Sequence, residues 1–251
     1  MTVRNPDREA IAHGRITDET VRPKSGIPSW ALKLTMAVTG LIFALFVVGH
    51  MAGNLKLYLP AHDGDEALDV YGEFLRDLGA PLIPHGHLLW IIRIVLLACV
   101  VAHIYGAFVL TSRSKQSRGK FKRTNLMGGM DSFATKTMLV TGAVLLLFII
   151  FHILDLTMGV QPIAAEAFEH GEVKANMIAT FSRWPVTIFY VLAMCCLFLH
   201  LTHGIRLAAS DLGITGRKWR QTFVVLAYII PACVCLANIV MPLSIALGLV
   251  S

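Results

Sequence analysis

Five apolar runs, approximately residues 30–59, 87–111, 133–158, 184–209 and 219–250, take up most of this chain of 251 residues. A helix needs about 20 apolar residues to cross roughly 30 Å of hydrocarbon, and each run reaches that length. Inside a bilayer every backbone N–H and C=O must find a partner within the protein, which leaves helices or closed barrels. The runs are too long and too continuously apolar for barrel strands. The pattern therefore predicts an all-α integral membrane bundle of five transmembrane helices spanning residues 30–251. The composition is 55% hydrophobic and 15% charged, which leaves little chain for a soluble domain. The first run is too long for a cleaved export signal and is followed by four more. Residues 1–29 are polar, contain Pro6, Pro23 and Pro28, and read as a cytoplasmic tail.

Charge sets the expected orientation. Arg4, Arg8, Arg15, Arg22 and Lys24 lie in the head, Arg113, Lys115, Arg118, Lys120, Lys122 and Arg123 in the second connection, and Arg217, Lys218 and Arg220 in the fourth. Segments this basic stay on the cytoplasmic side. The first connection carries Asp63, Asp65, Glu66, Asp69, Glu73 and Asp77 against Arg76, and the third carries Glu166, Glu169 and Glu172 against Lys174. These belong outside, and after five spans the C-terminus is expected outside as well. The net charge of +6 is then mostly topological, with anionic lipid headgroups as its partners. Basic residues confined to short loops between spans offer no folded surface for nucleic acid. Cys99, Cys195, Cys196, Cys233 and Cys235 all lie inside apolar runs without the second ligand pair of a zinc or iron-sulfur site, and read as small core side chains.

The chain has ten histidines. His13, His62 and His170 sit in polar segments, and His85 and His87 lie at the outer mouth of the second span. The other five are intramembrane, where an ionisable side chain is a functional candidate by default. His50 and His152 each lie about 19 residues from the inner edge of spans one and three, roughly 28 Å of helical rise. His103 and His203 each lie about seven residues from the inner end of spans two and four, roughly 10 Å. Opposed imidazoles at matched depths can hold both axial positions of a haem iron, with the macrocycle filling the bundle interior. This predicts His50 with His152 at an outer haem b and His103 with His203 at an inner one. His200 sits three residues before His203 and shares its broad face, so it stands as the alternative. His203 is preferred for its depth and for the neighbouring Gly204, which lets a ring approach the backbone. Asp155, one turn beyond His152, is either a contact of a ligand imidazole or an ordinary helix-end acid.

Gly40, Gly49, Gly106 and Gly142 lie where a porphyrin or a close helix would need room, though glycine is common in membrane spans generally. Lys56 and Arg183 at the outer level and Arg206 at the inner level suit haem propionates. Arg93 either contacts an outer propionate or snorkels to a headgroup.

Four segments carry a family resemblance: GHMAGNLKLY from Gly49 to Tyr58, VAHIYGAF from Val101 to Phe108, FHILD from Phe151 to Asp155, and HLTHGIR from His200 to Arg206. With these motifs the chain resembles the cytochrome b membrane-anchor subunit of the succinate dehydrogenase and fumarate reductase family, in its single-chain, five-helix, di-haem class. The resemblance covers essentially everything after the basic head. It implies ligands paired between spans one and three and between spans two and four, the same pairs that depth predicts. It also implies an iron-sulfur subunit and a flavoprotein subunit as partners, carrying the clusters, the FAD and the dicarboxylate site, in a complex that can assemble into a higher oligomer. The anchor would pass electrons to menaquinone in a bacterial cell membrane. Near that quinone the resemblance implies an outer carboxylate; Glu73 is the first choice, with Asp69 and Asp77 as alternatives. An acidic residue that precedes the span-four ligand in some relatives corresponds in this register to Leu201, a departure from the proton path associated with it. Succinate oxidation and fumarate reduction stay open as directions. A di-haem anchor for a hydrogenase or formate dehydrogenase, and a haem-free transporter with buried histidines, are the competing readings.

Overall fold

The computed structural model describes residues 26–61, 64–118 and 130–250. The expected tail up to residue 25, His62 and the basic residues Lys120, Lys122 and Arg123 lie outside them. Helix α1 covers Ser29–Asn54 and tightens into a 3-10 turn at Leu55–Tyr58. Then come α2 (Ala67–Asp77), α3 (His87–Arg118) and α4 (Met130–His152), which ends in a π turn at Ile153–Thr157. Helices α5 (Val173–Phe181), α6 (Trp184–Asp211) and α7 (Arg217–Ala246) complete the order. Five of these helices, α1, α3, α4, α6 and α7, are long and apolar enough to cross a membrane, as the five runs predicted.

Local sequence explains the boundaries. Pro28 sits just before α1 and Pro185 in the first turn of α6, where a missing N–H costs no helical bond. Pro231 and Pro242 lie inside α7, and both are buried against neighbouring helices, the setting in which membrane helices tolerate proline. Helix α3 runs past its apolar run through Arg113 and Lys115, because helical propensity continues where hydrophobicity stops. The short helices α2 and α5 arise in connections that hydropathy leaves blank. They are tied together at the end of the bundle rich in acids: Asp69 Oδ1 accepts from the Lys174 backbone N–H at 2.9 Å, and Lys174 Nζ pairs with Glu66 at 3.1 Å.

Helix α6 is the central stave, packed on α7, α4 and α1, while α3 packs on α1. Around the bundle the order is α3, α1, α6, α4, with α7 against α6 and α1. Ala193 and Ala227 are fully buried, and such small residues let membrane helices approach closely. The largest apolar cluster lies at the acidic end, where Leu57, Leu68, Met177 and Phe181 surround Tyr190, Met241 and Ile245. Cys99 and Cys235 are buried, and all five cysteines are free thiols. Large apolar side chains such as Leu45, Leu97, Val101, Leu147 and Leu236 point outward, as a lipid-facing surface requires.

Candidate cofactor-binding site

Helices α1 and α4 carry the same local motif. Thr39-Gly40 precedes His50 by the same interval as Thr141-Gly142 precedes His152. That interval is about 15 Å of helical rise, so each helix offers polar chemistry at two levels. At the first, near the basic end, the His103 and His200 rings face each other with centroids 6.3 Å apart and planes at 55°. At the second, toward the acidic end, the His50 and His152 rings are 5.8 Å apart at 85°. Two imidazoles sharing one metal through bonds of about 2 Å set their ring centres roughly 6 Å apart, so both separations suit a single metal between each pair.

Hydrogen bonds orient three of these rings. Thr39 Oγ1 donates its one hydrogen to the Thr35 carbonyl at 2.7 Å, so toward His103 Nδ1 at 3.0 Å it accepts. Thr141 Oγ1 donates to the carbonyls of Thr137 or Met138, both at 3.1 Å, and accepts from His200 Nδ1 at 3.2 Å. Tyr190 donates to Asp155 Oδ2 at 3.3 Å and accepts from His152 Nδ1 at 3.3 Å. A hydrogen held at Nδ1 leaves the lone pair at Nε2, the form a metal ligand needs. Glycine completes the setting: a Cβ on Gly40 would stand 3.4 Å from His103 Cε1, and one on Gly142 3.5 Å from His200 Cε1. Phe46 stacks on His50 and Phe148 on His152, which keeps the second level apolar around its nitrogens.

The pairs also fall on the diagonals of the bundle. His50 and His152 join α1 to α4, and His103 and His200 join α3 to α6, neither of which is among the principal helix packings. Side chains rather than close-packed backbones span the interior there, an arrangement suited to a flat group held between helices.

Of the residues singled out from the sequence, the structure brings His50 to His152 and sets His200, the alternative, against His103. His203 lies one turn further along α6. Arg183, expected to serve a propionate, is engaged by Asp155 at 2.7 Å and by the Ile163 carbonyl at 2.8 Å. Asp155 is completely buried and also accepts from Thr180 at 3.2 Å, so it is an anchor between α4, α5 and α6 rather than a solvated helix end. Lys56 lies over the Tyr71 ring at 5.4 Å, and Arg93 over Trp90 at 5.0 Å. Arg206 Nη1 reaches Tyr228 Oη at 3.5 Å. Glu73 is exposed and pairs with Arg76 at 2.6 Å. Glu73, Asp77 and His85 offer ligand atoms within 4.8 Å of one another and could share an ion, though Asp77 is already bonded to His85 at 2.8 Å. Thr39, Thr141 and Tyr190 were not anticipated; the repeated threonine-glycine pair was the signal for the first two.

These features define a class: a multi-pass α-helical membrane protein with two layers of opposed histidines. Residues 120–237, a little under half of the chain, match the family model described as succinate dehydrogenase/fumarate reductase transmembrane subunit, so this stretch is similar to those subunits. The match takes in His152 and His200, while His50 and His103 precede it. Comparisons with curated proteins and with solved structures returned no match.

Proposed function

We propose that this chain is the membrane-anchor cytochrome b subunit of a succinate:menaquinone oxidoreductase, with His50 and His152 holding an outer haem b and His103 and His200 an inner one. The observation that carries the reading is the pair of opposed imidazoles at each of two levels, spaced for one metal each. His200 replaces His203 in this assignment because its ring faces His103 and because Thr141 orients it as Thr39 orients His103. Bound haem supplies a one-electron carrier at each level. The chain's own residues fix the imidazoles, exclude water with Phe43, Phe46 and Phe148, and hold the hydrogen at Nδ1 on three of the four rings. Lys56 and Arg206 are the cations assigned to propionates at the two levels, and Arg93 sits at the outer rim.

Glu73 is proposed as the carboxylate beside the quinone, held by Arg76 at the acidic end, which the charge pattern orients outside a bacterial cell membrane. The iron-sulfur and flavoprotein subunits, with their clusters and FAD, are the proposed partners on the cytoplasmic side. The family description covers succinate dehydrogenase and fumarate reductase alike, so fumarate reduction is the second reading. The test is a redox-resolved optical spectrum of the purified assembly with pyridine-haem quantification and identification of the co-purifying subunits. Two haems per chain, reduced on adding succinate, are expected. A haem-free assembly that retains its partners refutes the proposal.

A further inference from the structure

Among the described residues, hydrogen bonds lead from the His50–His152 level to a buried charge. At the His103–His200 level the backing groups are threonine hydroxyls whose own hydrogens end on helix carbonyls. At the other level the chain of bonds runs from His152 through Tyr190 to Asp155, and onward to Arg183 and Thr180. Asp155 is fully buried and Tyr190 nearly so. The π turn at Ile153–Thr157, closed by Met158 N–H to the Ile153 carbonyl at 2.9 Å, widens the end of α4 where Asp155 meets α5 and α6. Turns of this kind recur at functional sites.

We infer that Tyr190 and Asp155 are positioning residues for His152 that set the electron affinity of the outer haem apart from that of the inner one. The inference rests on the haem reading above. A phenol that gives its hydrogen to a carboxylate is a better acceptor for the imidazole N–H than a threonine hydroxyl bonded to a peptide carbonyl. The more strongly Nδ1–H is held, the more basic Nε2 becomes and the more the ligand favours the oxidised metal. Arg183 balances the carboxylate, so the charge can remain in an apolar setting without unpairing.

The experiment is a spectroelectrochemical titration of the complete assembly carrying Tyr190→Phe, alongside the unaltered protein, with pyridine-haem quantification and electron paramagnetic resonance of the oxidised haems. Tyr190→Phe keeps the ring in its cluster and keeps Asp155 paired with Arg183, so the fold is preserved. The expected result is two haems retained and an outer haem whose oxidised form loses about tenfold in relative stability. For a one-electron couple that is a rise of about 59 mV in its midpoint. Its low-spin resonance should shift while the inner haem keeps its potential and its signal. Asp155→Asn should move the outer midpoint the same way where the assembly forms; where it does not, Tyr190→Phe decides. An unchanged outer midpoint with both haems bound overturns the inference, and so does an equal shift at both levels, which would mark general loosening. Absence of haem from the unaltered assembly fails the functional proposal instead, so the two outcomes are separable.

Discussion

Replacing Thr141 with valine keeps the shape of the side chain and removes the hydroxyl that accepts from His200 Nδ1 at 3.2 Å. The loss of the hydroxyl's own bond to its helix carbonyl costs little, because valine brings no polar group that needs a partner. The imidazole N–H is different. Thr141 is 4% exposed, so water does not replace the hydroxyl, and a buried donor left without an acceptor costs about 1–3 kcal/mol. At about 1.4 kcal/mol per factor of ten, inner-haem retention should weaken by roughly fivefold to more than a hundredfold. Thr39→Val should act on His103 in the same way, and if both rings hold one metal, as proposed, the double variant should depart from additivity. The assay is haem content per chain after timed dilution or gel filtration, with reduced-minus-oxidised spectra to separate the levels. Loss confined to the inner band is the expected result. Equal loss at the His50–His152 level, or full retention in both single variants, would refute the idea that these hydroxyls fix the ring nitrogens.

Three further outcomes are expected. His200→Ala should abolish the inner haem band while His203→Ala retains it, as read from the same spectra; the reverse would return the ligand role to His203. Arg183→Ala leaves the fully buried Asp155 without its cation and should destabilise the protein by about 3 kcal/mol, lowering the Tm of the detergent-purified assembly, with Arg183→Lys recovering part of the loss. Glu73→Gln should slow succinate-driven reduction of a menaquinone analogue with both haems bound and reducible; unaltered turnover would remove Glu73 from the quinone site.

How much could be read in advance depended on which physics each feature obeys. The five spans follow from hydrophobic length, and His50 with His152 from depth, because both are properties of single helices. His200 and His203 are three residues apart on α6, and helical periodicity leaves both on one broad side, so the neighbours across the bundle, His103 and Thr141, are what single out His200. Arg183 was assigned by its height in the membrane; the cross-helix carboxylate that engages it is invisible to that argument. Nothing in the sequence marks Tyr190, since its contacts lie with His152 and Asp155, more than thirty positions away. Helices α2 and α5 were missed because they are too short to register as spans and dock at the bundle end through Asp69, Glu66 and Lys174 and through Leu68, Met177 and Phe181.

Helices α3 and α4 are the least buried of the five spans, and each leans chiefly on a single neighbour, α1 for the one and α6 for the other. In lipid no hydrophobic effect draws one helix onto another, so slender contacts leave such members loosely moored. Because the histidine pairs reach across to these two helices, a ligand clasped there would act as a rivet, coupling maturation of the subunit to delivery of its prosthetic groups. Chains inserted during haem starvation should expose α3 and α4 to membrane proteases first.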